Sequence, residues 1–133
     1  MIAERRIMTL TEFDFRVHVV AEEVTDTIRQ LAEAEVITWK KGSFQESDLE
    51  GADIVAACTD KREVNHAVGE WCRQRGVQVS VCDARSESTF WFPAIAINDE
   101  LTMGLVGNGK RHDIVKRAAS ALRRIIEERS YEL

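Results

Sequence analysis

The chain has 133 residues, 44% of them hydrophobic and 31% charged, enough for one compact domain with a small appended element and too short for two full domains. A net charge of -5 argues against a generic nucleic-acid binder. No apolar run approaches the roughly eighteen residues needed to span a bilayer, and the start lacks a signal-peptide core, so a cytoplasmic protein is expected.

Residues 2–10 set Ile2, Ala3, Ile7, Met8 and Leu10 among charged neighbours and read as a helix. Residues 16–21, rich in β-branched side chains, read as a strand, and residues 24–34 as a helix with Val24, Ile28, Leu31 and Ala32 on one stripe. Residues 36–39 form a second predicted strand. The polar stretch 42–53, with Gly42 and Gly51, is a connection that holds a helical turn around Ser47, Asp48 and Leu49. Residues 53–58 are nearly all apolar, as in a strand covered on both faces in the middle of a sheet.

Thr59 and Asp60 open a helix running to Arg75, with Val64, Ala67, Val68, Trp71 and Cys72 on its apolar face and Gly76 as its stop. Residues 77–82 form the next strand. Strands alternating with helices at this spacing require a parallel sheet with right-handed crossovers, a doubly wound fold whose ligands sit at the carboxyl ends of the strands. After Asp83 the pattern changes: residues 89–97 and 101–106 read as a hairpin around Asn98, Asp99 and Glu100, followed by a helix over 110–128. The division expected is therefore 1–83 and 84–133.

Position on this fold picks out candidate site residues. Glu22 and Glu23 end the first strand, where a dinucleotide fold places the acid that binds ribose hydroxyls; the same residues also suit the dipole at a helix start. Thr59 and Asp60 end the central strand and either cap the next helix, which is expected in any case, or line a cofactor site as well. Asp83 ends the following strand, as a turn-forming Asp or as a proton-handling carboxylate. Between residues 110 and 124 six Lys or Arg face one acid, Asp113, a solvated helix face or an anion-binding surface. Cys58, Cys72 and Cys82 form no close pair in sequence and read as reduced core thiols, and the three histidines lack metal-ligand spacing.

Linked strings carry a resemblance. Ile-Ala-Glu-Arg-Arg at 2–6, Val-Val-Ala at 19–21 before Glu22, and Phe-Gln-Glu-Ser-Asp-Leu at 44–49 are followed by Ala-Ala-Cys-Thr-Asp at 56–60 with Glu-Val-Asn at 63–65. Val-Cys-Asp at 81–83 and Thr-Phe-Trp-Phe-Pro-Ala at 89–94 complete the order. In this order and spacing they resemble the precorrin-2 dehydrogenase and sirohydrochlorin ferrochelatase family, the NAD-binding region of sirohaem synthases. The resemblance implies a Rossmann-like parallel sheet lacking its first strand, because the sequence opens just after the family's glycine turn, then a small β dimerisation segment and a C-terminal helix.

It implies NAD as cofactor, bound by Ile2, Glu22, Glu23, Thr59 and Asp60, and Asp83 as the catalytic aspartate. It also implies a homodimer paired through residues 84–106, where Phe90, Trp91 and Phe92 would project to both faces of a strand; a hairpin folded on its own core is the other reading. The substrate implied is precorrin-2, a tetrapyrrole whose acetate and propionate groups suit Lys110, Arg111, Lys116 and Arg117. The family's Ser-rich glycine segment is replaced by Gly-Asn-Gly-Lys-Arg-His at 107–112, and many relatives continue past Leu133 into a helical domain. The activity expected is NAD-dependent oxidation of precorrin-2, with ferrochelation in some relatives, and Met1 is then an internal residue of a longer reading frame. The alternative is a non-catalytic dimeric remnant or tetrapyrrole-binding module. Nucleic-acid binding through the last helix has only local charge behind it, and neither a metal nor a membrane is expected.

Overall fold

A computed structural model describes residues 2–132 and divides the chain into two compact units, 1–90 and 91–133. The first unit runs α1 (Ile2–Thr11), β1 (His18–Ala21), α2 (Asp26–Glu33), β2 (Thr38–Lys41), β3 (Ile54–Ala57), α3 (Arg62–Arg75) and β4 (Gln78–Val81), with short 3-10 turns at Glu46–Leu49 and Arg85–Glu87. The second holds β5 (Ala94–Ile97), β6 (Thr102–Leu105) and α4 (His112–Glu127).

All four strands of the first unit pair in parallel, β1 with β2 from His18 opposite Thr38, and β3 with β4 from Ile54 opposite Gln78. In the doubly wound order these two pairs flank one further strand position, and among the described residues no strand fills it. This corrects the expectation for β3. It borders a single partner, its residues are not covered on both faces, and Ile54 is 39% exposed.

Each pair has its own apolar cluster. Under α3, the buried residues Val68 and Cys72 pack with Ala57, Val79, Val81 and Leu49. Close approach of this helix to β4 depends on Gly69, where an added Cβ would lie 3.0 Å from Val81 Cγ2. The helix ends as expected at Gly76, whose φ of 70° is left-handed and whose amide bonds back to the last turn. Its buried face is rotated from the predicted stripe: Asn65, Val68, Gly69 and Cys72 are inside, while Ala67 is exposed. Around the other pair, Ile7 of α1, Ile28 of α2 and Ile37 form a smaller cluster.

The first unit continues past the boundary expected at Asp83, because Thr89 is tied into the edge of β4. Its amide donates to the Val79 carbonyl and its hydroxyl accepts from the Val79 amide, both at 2.8 Å. Residues 89–93 are consequently not part of the hairpin strand that the sequence suggested, and Pro93, which has no amide to donate, closes the excluded stretch. In the second unit β5 and β6 pair antiparallel around a turn in which the Asn98 side chain accepts from the amides of Glu100 and Leu101. Helix α4 packs on this hairpin through the buried residues Ala96, Ala119 and Ile126.

Candidate functional site

The carboxyl ends of the strands carry most of the polar candidates of the first unit, and α1 connects the two pairs there. Arg6 Nη1 donates to Cys58 Sγ, just past β3, at 3.2 Å, and Glu4 Oε2 accepts from the Thr25 hydroxyl, beyond β1, at 2.5 Å. The first turns of α1 therefore touch the N-cap of α2 and the residue that follows β3.

Asp83 follows β4 with 35% of its side chain exposed. One oxygen accepts from Arg62 Nη1 at 2.9 Å and the other from Asn65 Nδ2 at 3.1 Å. Burial works to raise its pKa. The Asn65 hydrogen bond and the Arg62 charge outweigh it, so the carboxyl is held below the ordinary Asp range and is ionised at neutral pH. Arg62 also pairs with Glu87, which His66 Nδ1 approaches at 3.2 Å. The Glu87 carboxyl is lowered first by its bond to Arg62, against a smaller effect of burial.

Thr59 follows β3 and is bound to the same asparagine. Its amide and hydroxyl donate to Asn65 Oδ1 at 3.0 and 2.7 Å, and its carbonyl accepts from Asn65 Nδ2 at 2.9 Å. The expected helix cap is corrected here. Lys61 occupies the N-cap position without a side-chain cap, and the Thr59 hydroxyl accepts from the Lys61 amide at 3.2 Å, turning the chain into α3 instead of capping it. Asp60 is exposed in the same turn.

Glu22 and Glu23 are exposed after β1, and Glu22 Oε1 accepts from the Ser43 hydroxyl, beyond β2, at 2.8 Å. Ile2 begins α1 and is 44% exposed. Two carboxylates at a strand end are acceptors suited to hydroxyl groups such as those of a ribose. Among the described residues of the first unit no glycine-rich turn leads into a helix.

Lys110, Arg111, Lys116 and Arg117 belong to the second unit and are exposed. Arg111 grips Asp113 through two bonds of 2.9 and 2.7 Å, and Arg117 reaches the same carboxylate at 3.4 Å. The cationic stretch is thus partly neutralised by its own acid, while Lys110 and Lys116 complete its positive surface.

Two features lay outside the sequence reading. Cys58 and Cys82, distant in sequence, follow residues paired across β3 and β4, and their thiols interact; both are free cysteines. Arg62 and Asn65 were not singled out as site residues. The signal for Asn65 is a polar residue in phase with Val68 and Cys72 on the buried helix face.

Known proteins share sequence and fold with this chain. A family model described as "Putative NAD(P)-binding" matches residues 1–94. The "Probable multifunctional siroheme biosynthesis protein HemA" of Ruminiclostridium josui is 35% identical over 93% of this chain and 24% of its own length. The "Siroheme synthase" of Photorhabdus laumondii is 30% identical over 96% of this chain and 26% of its own. The chain thus spans about a quarter of the length of these curated relatives. A solved structure of "SirC, precorrin-2 dehydrogenase" superposes with a TM-score of 0.77 at 19% identity, covering 98% of this chain and 67% of the other, which shows the shared Rossmann-like fold. The strings of residues from Ile2 to Ala94 led to the same kinship, and the chain belongs to this NAD(P)-binding family, with sirohaem synthases among its relatives.

Proposed function

We propose that this chain is the NAD-binding part of a precorrin-2 dehydrogenase, oxidising precorrin-2 to sirohydrochlorin in sirohaem biosynthesis. The observation that carries the reading is the Asp83 carboxylate at the end of β4, ionised and oriented by Arg62 and Asn65. Such a group accepts a proton from a substrate carbon or nitrogen as the substrate is oxidised, its remaining lone pairs being open to solvent. Bound NAD supplies the hydride acceptor. Glu22 and Glu23 favour NAD over NADP, since two carboxylates at the ribose position hydrogen-bond hydroxyls and repel a 2′-phosphate. Thr59 and Asp60 border the same edge, and Ile2 offers an apolar contact at the start of α1.

Lys110, Arg111, Lys116 and Arg117 are assigned to carboxylates of the tetrapyrrole, for which their exposure and charge are suited. A homodimer is supported by the apolar surface of the second unit, where Trp91, Ile97, Leu101, Val106 and Ile114 are all exposed. Three free thiols fit a cytoplasmic setting, and no described helix is long and apolar enough to cross a membrane.

The test is NAD-dependent conversion of precorrin-2, followed by absorbance, for this chain beside Asp83→Ala. Turnover that falls by about a hundredfold or more in the variant is expected of a proton-transfer group. Equal turnover in both would remove Asp83 from the reaction. Ferrochelation is assayed on the same samples by adding ferrous iron to the product. Tetrapyrrole binding with neither NAD binding nor turnover would instead be the signature of a dimeric tetrapyrrole-binding module without redox chemistry.

A further inference from the structure

Asn65 has no exposed surface, yet it is a polar side chain on the helix face that covers β4. An amide offers two acceptor positions and two donor hydrogens. Here all four are used: the oxygen takes the amide and hydroxyl of Thr59, and the nitrogen gives one hydrogen to the Thr59 carbonyl and one to Asp83. The side chain therefore clamps the end of β3 to the end of β4, and no other orientation of the amide satisfies the same four partners. Arg62, one turn earlier on α3, holds the other Asp83 oxygen and ties it to Glu87.

We propose that Asn65 and Arg62 are positioning residues for Asp83, Asn65 fixing where its carboxylate points relative to Thr59 and Arg62 gripping its second oxygen. The proposal rests on the function assigned to Asp83 above. Arg62 contacts that carboxylate directly; Glu87 and, through it, His66 share the Arg62 network, and Cys82, whose thiol interacts with Cys58, shares the Asn65 amide nitrogen. Arg62 is the cation in direct contact, so its removal is read most directly in the titration of Asp83. A purely structural asparagine would alter folding without changing how Asp83 titrates in the folded protein.

The experiment is a carbon-detected NMR titration of the Asp83 carboxyl in the full chain, in Arg62→Gln, Arg62→Lys and Asn65→Ser, with kcat, KM and the pH profile of precorrin-2 oxidation measured on the same samples. Arg62 is half exposed, so its variants keep the test open if the buried Asn65→Ser does not fold. The expected result is an Asp83 midpoint that rises in Arg62→Gln and Asn65→Ser, returns toward the original in Arg62→Lys, and carries the acidic limb of the rate profile with it. In Asn65→Ser, kcat falls about tenfold or more with KM little changed, as for a misoriented group. An unmoved midpoint in folded variants overturns the proposal and leaves the role of Asp83 standing. A midpoint that moves while the rate profile does not shows that Asp83 is outside the reaction, which overturns the function assigned to it and the positioning role together.

Discussion

The β3–β4 pair lies under a fourteen-residue helix, with Val79, Cys72 and Asn65 at zero exposure and Asn65 anchoring a polar network at the strand ends. The β1–β2 pair rests on an eight-residue helix and a cluster of three buried isoleucines, and the acids at its end, Glu22 and Glu23, are exposed. The difference suits the chemistry proposed for each end. A carboxylate that takes a proton must be oriented before substrate arrives, and dense packing supplies rigid partners for it. An acid that hydrogen-bonds a ribose is ordered by its ligand and needs only to be present at the strand end.

The sharpest way to break this comparison is Ile28→Ala. Ile28 is 2% exposed at the centre of the three-isoleucine cluster, and its truncation is expected to cost about 3 kcal/mol in urea denaturation. Hydrogen exchange should accelerate in β1 and β2 well before β3 and β4. Equal acceleration in both pairs would show one shared core instead of two. A smaller effect is expected from Thr25→Ala. The Thr25 hydroxyl accepts from the Ile28 amide at 3.3 Å and donates to Glu4, so its loss removes a helix cap and a link to α1, at about 1 kcal/mol. Thermal unfolding of the variant measures it, and an unchanged midpoint would mean that the cap is dispensable here.

The smallest effect is the acid dependence of stability. Asp83 and Glu87 on one side, and Asp48 beside Lys40 on the other, titrate below their ordinary values in the folded chain. For Asp48 the largest cause is the Lys40 hydrogen bond. Because the folded pKa lies below the unfolded one, the stabilisation is fully present above about pH 4 and is lost as pH falls through the folded values. Arg62→Gln should flatten this acid dependence more than Lys40→Gln, since Arg62 faces two carboxylates and Lys40 one. Denaturation midpoints between pH 3 and pH 7, roughly the span around the unfolded carboxylate values, decide it; the reverse order would place the stronger electrostatic anchor at the β1–β2 pair.

Much of this architecture was legible because local periodicity and local packing agree. The helix ending at Gly76 could be read from its apolar spacing and stop residue, and the turn at Asn98 from its polar cluster. What could not be read depends on contacts distant in sequence. Thr89 belongs to a strand-like run by composition, but its hydroxyl and amide are recruited by Val79, and only the folded chain brings the two together. For the site, strand ends pointed to Asp83, Thr59 and Glu22. The partners that orient Asp83 come from the preceding helix, α3, where Arg62 looks like an ordinary surface charge and Asn65 interrupts an apolar stripe. Three-dimensional proximity of Cys58 to Cys82 was hidden for the same reason, since parallel register, not sequence spacing, sets it.

The placement of the three thiols also gives the molecule its own clock for opening. Cys72 is fully enclosed and burial raises its pKa, so an alkylating reagent reaches it only when α3 leaves β4. Cys58 and Cys82 are half-buried beside Arg6 and Asn65, and their modification records the briefer excursions of the strand ends. The interval between the two classes of reaction is a direct measure of how often the site breathes without the domain coming apart.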